Sequence, residues 1–274
     1  MQDTNHVKAP QDSGVPDWAR DFSVAGRVVL ITGAGQGIGR ELARQFAAAG
    51  AVAVIADVNL DSANLVKAEV EAGGGRAMAL KVDVTDPFGV QAMVDAVMAE
   101  HGKIDVLINN AAIFATLQKR TFDLIPLAEW DKVIQVNVTG SMLCARAVVP
   151  AMRAAGWGRI INIASDAVPN GVMNYMHYVT SKSAMIGMTN AMARELGADG
   201  INVNCIRPGA VATEVDRTVN PTVDLRKTQI AQQCIKRGMK PPDLAGLMIF
   251  LSSPASSFIT GQTIACDGGY THSS

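Results

Sequence analysis

The stretch ITGAGQGIG (31–39) places glycine at every second position from Gly33 to Gly39, directly behind the apolar run Val28–Ile31. The apolar run reads as a buried strand, and GRELARQFAAAG (39–50) reads as a helix that begins near Gly37. The glycines therefore join a strand end to a helix start. A helix N-terminus offers unpaired N–H groups and partial positive charge, and glycines let a backbone come close to its ligand, which suits a pyrophosphate. The spacing fails G-x-G-x-x-G from either Gly33 or Gly35. It fits T-G-x-x-x-G-x-G, carried by Thr32, Gly33, Gly37 and Gly39, with Gln36 and Ile38 among the turn's other residues. Taken alone such a turn also reads as a flexible connection, so the neighbouring strands decide.

VVLIT (28–32), AVAVIA (51–56), AMALKV (77–82), IDVLIN (104–109), RIINIA (159–164), INVNCI (201–206) and QTIAC (262–266) predict seven buried strands, with helices such as GVQAMVDAVMAEHG (89–102) between them. Continuous apolar strands alternating with helices predict an α/β fold: a doubly wound, Rossmann-type, mainly parallel sheet with helices on both faces, in a single domain. Sheets of this kind bind ligands at the carboxyl ends of their strands. Asp57 stands at that edge, ending the second strand 24 residues beyond Gly33. Its carboxylate can accept hydrogen bonds from an adenosine ribose and would repel a 2′-phosphate. No Arg or Lys lies between Gly33 and Gly39 and Val58 is neutral, so NAD is expected rather than NADP. Asp83 and Val84 end the third strand, and Asn109, Asn110, Ala111 and Ala112 end the fourth. Each cluster alone is ordinary turn chemistry; their shared edge is the stronger fact.

Composition narrows the function. The 274 residues are 49% hydrophobic and 18% charged without repeats, as one well-buried domain requires. A net charge of -1 with scattered Lys and Arg gives nucleic acid no basic stripe. Residues 1–22 are polar and lack the apolar core of a signal sequence. They predict a loosely ordered extension ahead of a catalytic domain at 23–274, in a cytoplasmic protein with no membrane partner. Cys144, Cys205, Cys234 and Cys266 form no Cys-x-x-Cys pair, and His6, His101, His177 and His272 show no metal-ligand spacing, so reduced thiols and no metal are expected.

The reactive groups follow the fifth strand. Ser165 follows RIINIA, and YVTSK brings Tyr178 and Lys182 four residues apart, on one face of the next helix. A phenol has a reference pKa of about 10, so making it ionisable near neutrality takes roughly 4 kcal/mol of preferential stabilisation of phenolate. A nearby ammonium supplies this. Lys182 also reaches far enough to hydrogen-bond a nicotinamide ribose, and Ser165 can donate to a carbonyl oxygen or accept from an alcohol. Asn137 falls on the apolar stripe of Trp130, Val133, Ile134 and Ser141, where a buried amide must find partners. It either knits the core or holds a water that links Lys182 to solvent.

In order, T-G-x-x-x-G-x-G, Asn-Asn-Ala, Asn137, Ser165, Tyr-x-x-x-Lys and Pro208-Gly209 resemble a short-chain dehydrogenase/reductase from about residue 23 to Gly269. The resemblance implies a catalytic tetrad of Asn137, Ser165, Tyr178 and Lys182. It implies cofactor contacts at Gly33, Gln36, Gly37, Ile38 and Gly39, at Asp57, Asp83, Val84 and Asn110, and at Pro208 and Gly209, with Val211 and Thr213 meeting the carboxamide. It further implies a homotetramer that interconverts a secondary alcohol and its ketone with NAD(H). Ala112 departs from the family pattern, which often has glycine there. The alternatives are a 3-oxoacyl-carrier reductase, whose usual NADPH preference Asp57 opposes, a sugar or polyol dehydrogenase, and a non-catalytic NAD sensor, which the intact tetrad opposes. SDAVPNGVMNYMHYVT (165–180) and SFITGQTIACDGG (257–269) are similar to dehydrogenases of secondary alcohols, including aryl-alkyl carbinols, and of sugars and polyols.

Met173 and Met176 are candidates for an adaptable apolar substrate wall, whereas Met185, Met188 and Met192 recur at helical spacing and read as core. The segment 213–240, which the resemblance places over the substrate, carries six cations against three carboxylates. It reads as a solvated face, or else Arg217 or Arg226 meets an anionic group on the substrate.

Overall fold

Strand β1 (Val28–Thr32) is buried at all five positions, as a parallel strand with both faces covered must be. It belongs to a computed structural model that describes residues 21–215 and 223–272, residues 223–226 by backbone alone. After β1 come α1 (Gly37–Ala48), β2 (Val52–Asp57), α2 (Leu60–Ala72), β3 (Arg76–Lys81), α3 (Pro87–His101) and β4 (Val106–Asn109). The second half runs α4 (Leu127–Ile134), α5 (Ser141–Ala155), β5 (Gly158–Ile163), the single turn α6 (Ala167–Asn170), α7 (Met176–Leu196) and β6 (Ile201–Pro208). It closes with α8 (Val223–Gln232), α9 (Pro242–Leu251) and β7 (Thr263–Cys266).

The seven strands lie in the order β3-β2-β1-β4-β5-β6-β7, and every pair is parallel. The chain winds outward from β1 in one direction and from β4 in the other, so the crevice between them is the topological switch point at which such sheets take ligands. Alternate residues of β1 serve opposite faces. Val29 and Ile31 join Leu42, Phe46, Val66 and Met248 beneath α1, α2 and α9. Val28 and Leu30 join Val94, Val97, Val148 and Met152 beneath α3 and α5. Each such fully buried side chain contributes about 1.5–3 kcal/mol by leaving water. Local signals set the helix ends: Asp86 accepts the Phe88 N–H ahead of α3 and Pro87 occupies its first turn. Gly102 then closes it in the left-handed region at φ 70°.

Besides strand ends displaced by one or two residues, two departures from the sequence expectation have a visible packing partner. β4 begins at Val106 rather than Ile104, because Asp105 turns its carboxylate to the Val28 N–H (2.8 Å) and the Arg27 guanidinium (2.8 Å). The regular stripe expected through Asn137 is broken, since α4 and α5 are joined by a π-helical turn at Gln135–Gly140. Val84 presses on that turn so closely that a Cβ on Gly140 would lie 2.6 Å from its Cγ2. The expected extension 1–22 falls on residues 1–20, outside the described residues, together with Asp21 and Phe22. Those two already pack on the domain, Asp21 accepting the Ala255 N–H (2.8 Å) and the Phe22 ring stacking on Phe250 at 5.9 Å.

Candidate active site

A cavity of about 780 Å³ runs along the carboxyl ends of the strands, past the switch point. One end is lined by Gly33, Gln36, Gly37 and Ile38 of the glycine turn, with Asp57, Asp83, Val84 and Asn110. The turn's shape comes from packing as much as from ligand approach. Gly33 has φ 62°, and a Cβ there would stand 2.7 Å from Ala111 Cα. Gly39 does not line the cavity; it sits under the turn, where a Cβ would stand 2.5 Å from the Gly33 carbonyl oxygen. Thr32 and Asn110 clamp this contact. The Thr32 hydroxyl accepts the N–H groups of Asn110 and Ala111 (3.1 Å each), and the Asn110 amide donates to the carbonyls of Thr32 (2.9 Å) and Gly33 (2.8 Å). Ala112 fits without strain, since Asn174 is the only non-glycine with positive φ among the described residues.

The Asp57 carboxylate is oriented by the N–H groups of Gly35 (2.8 Å) and Asn59 (2.9 Å) and borders the cavity. Asp83 is held through Thr85, whose N–H and hydroxyl both donate to it. These residues fit a dinucleotide: donors at a helix start, a fixed acceptor at the end of β2, and a concave run joining them. Sequence reasoning missed Glu214. The Gly37 N–H donates to Glu214 Oε1 (3.0 Å), and Arg40 reaches both that oxygen (3.2 Å) and Glu69 (2.6 Å). Burial pushes the Glu214 carboxyl up, but hydrogen bonds from Gly37 and Arg40 outweigh it and hold the group below its ordinary pKa. The start of α1 thus already attracts an anion.

The other end of the cavity gathers Ser165, Tyr178 and Lys182, with Pro208, Gly209, Val211 and Thr213 beside them. Lys182 is buried, and its ammonium donates to the Ile163 carbonyl at the end of β5 (2.8 Å). Burial pushes its pKa from 10.5 down to about 8. Its Nζ lies 5.9 Å from the centre of the Tyr178 ring, which Phe114 backs at 4.4 Å. Ser165 Oγ accepts the Ala167 N–H (3.1 Å) and donates to Asp166 Oδ1 (3.3 Å). The Pro208-Gly209 turn holds this loop to the sheet, as Pro208 accepts the Asp166 N–H and Gly209 donates to Cys266, each at 3.0 Å.

Asn137 is wholly buried behind the cavity. Its amide accepts the Ile113 N–H (2.7 Å) and donates to the Ile113 carbonyl (3.3 Å) and Ser181 Oγ (3.0 Å). Its side chain thereby ties the loop after β4 to α7, one residue from Lys182.

Met173 and Met176 do not form the expected substrate wall. They are 83% and 40% exposed and lie off the cavity, while Val172 and Tyr175 line it. The approach to α7 is not helical: Gly171 (φ 54°) and Asn174 (φ 68°) both take left-handed conformations, and Tyr175 turns inward while Val172 borders the cavity half-exposed. Met185 is core as expected, and Met188 and Met192 pack against it or its neighbouring cluster. Arg217 and the side chain of Arg226 lie outside the described residues. Asp166, Gln229 and Tyr270 line the substrate end and were not singled out from the sequence. Asp166 stood next to Ser165, but nothing in its spacing marked it.

The chain matches a family model described as enoyl-(acyl carrier protein) reductase over residues 33–271. It is 36% identical over 244 residues to 7alpha-hydroxysteroid dehydrogenase of Escherichia coli (strain K12), covering 89% of this chain and 94% of that protein. The fold superimposes with a TM-score of 0.86 on a 7 alpha-hydroxysteroid dehydrogenase complexed with NADH and 7-oxo glycochenodeoxycholic acid, at 35% identity, covering 92% of this chain and 96% of the other. It superimposes with a TM-score of 0.87 on a gluconate 5-dehydrogenase from Burkholderia cenocepacia J2315 in complex with NADP and tartrate, at 33% identity, covering 93% and 99%.

Proposed function

Since the chain belongs to the short-chain dehydrogenase/reductase family, and so is an oxidoreductase of CH–OH groups that works with a nicotinamide cofactor, we propose that it interconverts a secondary alcohol and its ketone with NAD(H) in preference to NADP(H). The carrying observation is the single cavity that joins the glycine turn and Asp57 to Ser165, Tyr178 and Lys182. Gln36, Gly37 and Ile38 would hold the pyrophosphate, Asp57 the adenosine ribose, and Val211 and Thr213 the carboxamide. When bound, the cofactor supplies the nicotinamide ring that accepts hydride. The chain supplies the acid–base chemistry. Tyr178 as phenolate takes the alcohol's hydroxyl proton, Ser165 donates to the same oxygen, and the Lys182 ammonium favours the phenolate and passes the proton onward. Asn137 acts through Ser181, holding the start of α7 in place.

The NAD preference rests on Asp57. Arg40, which directly follows the glycine turn, is engaged by Glu69 and Glu214. Asp57 likewise opposes a carrier-linked reductase that prefers NADPH. A nucleotide sensor would gain nothing from a buried ammonium that costs folding stability. The reading includes a cytoplasmic homotetramer, in keeping with four unpaired thiols and the family resemblance. Incubating the enzyme with NAD⁺ or NADP⁺ and a panel of secondary alcohols, and following absorbance of the reduced cofactor, tests the proposal. Turnover with a higher kcat/KM for NAD⁺ is expected. A higher kcat/KM for NADP⁺ overturns the cofactor reading, and no turnover with any alcohol in either direction overturns the reaction.

A further inference from the structure

The part of the cavity beyond Ser165 carries a carboxylate that the chemistry at the reacting carbon does not use. Asp166 Oδ1 accepts from Ser165 Oγ at 3.3 Å, and Asp166 Oδ2 accepts from Gln229 Nε2 of α8 at 3.2 Å. Both residues line the cavity. A carboxylate can accept about four hydrogen bonds, and Ser165, Gln229 and the Ala167 N–H, which also bears on this carboxylate, leave room for one more.

We propose, building on the dehydrogenase reading, that Asp166 selects the substrate: it accepts a hydrogen bond from a second hydroxyl on the carbon next to the reacting one, so that the preferred substrates are neutral vicinal diols and polyols. Ser165 holds the reacting oxygen, and Asp166 Oδ1 lies one hydrogen-bond length beyond it. The two oxygens of a gauche vicinal diol are separated by about the same length. A diol whose first oxygen meets Ser165 and Tyr178 therefore brings its neighbouring hydroxyl to Asp166. The bond that Ser165 makes to Asp166 is exchanged for one from the substrate, which frees the Ser165 proton for the reacting oxygen.

The surroundings favour a hydroxyl over either kind of charge. Burial pushes the Asp166 carboxyl up to about 6, which leaves it ionised but poorly solvated at neutral pH, a state that gains from a donated hydrogen bond. A carboxylate or phosphate on the substrate would meet like charge from Asp166. A substrate anion would also meet Asp267, whose charge adds to burial in raising the Asp166 pKa, whereas an ammonium would enter a pocket that already holds the Lys182 ammonium. Gln229 fixes Asp166 from the side of α8, so the contact is built from two elements and not from one flexible side chain.

The test compares kcat/KM, with saturating NAD⁺, for cyclohexanol against cis-cyclohexane-1,2-diol and for butan-2-ol against butane-2,3-diol. The wild-type enzyme is expected to prefer the diol in each pair by about 10-fold or more, the scale of a hydrogen bond to a charged acceptor. Asp166→Ala should bring the ratio close to one. Asp166→Asn is nearly isosteric and keeps an acceptor oxygen, so it guards against a folding defect and should leave an intermediate ratio. A wild-type preference for the mono-alcohols, a diol preference that survives Asp166→Ala, or a stronger preference for 2-aminocyclohexanol than for the diol overturns the proposal while leaving the dehydrogenase reading intact. Failure to form NADH from any probe overturns the dehydrogenase reading, and this inference with it.

Discussion

Lys182→Met separates what the active-site lysine does for catalysis from what it costs the fold. Burial lowers the Lys182 pKa from 10.5 to about 8, which corresponds to about 3 kcal/mol of penalty on the charged form in the folded state. Below pH 8 the ammonium is charged in both folded and unfolded chains, and the penalty is present in full. Between pH 8 and 10.5 the unfolded chain keeps a proton that the folded chain has released, so this group makes stability rise with pH. Methionine fills similar space without charge. The stability difference, variant minus wild type, should therefore be largest near pH 7 and shrink by about 3 kcal/mol as pH approaches 10.5. Buried Cys144 and Cys205, whose thiols burial pushes up to about 12 and about 11, act in the opposite direction above pH 9; Cys144 cancels in the subtraction, and Cys205, although coupled to Lys182, stays protonated in the folded chain up to pH 10 in either protein. Urea unfolding followed by tryptophan fluorescence at fixed protein concentration, from pH 7 to 10, measures the difference. A difference that stays flat over this range refutes the argument that burial neutralises Lys182 near pH 8.

Tyr178→Phe keeps the ring against Phe114 and removes the proposed proton acceptor, so turnover should fall by at least ~10²-fold; near-normal turnover in the folded variant removes Tyr178 from the chemistry. Asp57→Ala removes both the ribose acceptor and the charge that opposes a 2′-phosphate, so kcat/KM for NAD⁺ and NADP⁺ should converge. It also frees the N–H groups of Gly35 and Asn59, and thermal unfolding should drop by the equivalent of about 1–3 kcal/mol. Glu214→Gln takes a negative charge off the start of α1, where a pyrophosphate would use the Gly37 N–H. NADH, titrated by fluorescence, should bind about 3- to 10-fold more tightly, a modest gain because Glu214 is half-exposed; weaker binding would show that Glu214 supports the cofactor site.

How far the sequence could be read follows from the range of the forces involved. Strand positions and sheet type were legible because a parallel strand covered on both faces must be apolar throughout, and VVLIT or RIINI can hardly be anything else. Tyr178 and Lys182 were legible because one helical turn fixes their relation whatever surrounds them. The misses required knowledge of what packs from a distance. The π-helical turn at Gln135–Gly140 packs through Gly140 against Val84, more than fifty residues earlier, a contact that no local spacing reports. The placing of Val172 and Tyr175 along the cavity, in place of Met173 and Met176, goes with two left-handed residues whose conformation no apolar periodicity reports. Glu214 and Asp166 show the same principle with charge. Each stands beside a recognised motif residue, Thr213 and Ser165, and reads locally as turn chemistry. Each acquires meaning only when a distant element, the start of α1 or Gln229 of α8, supplies its hydrogen-bond partner. On the proposed reading the acid–base centre lies in local spacing, while control of what enters it lies in tertiary contacts. It follows that relatives with the same Tyr-x-x-x-Lys spacing can act on different alcohols without any change in that motif.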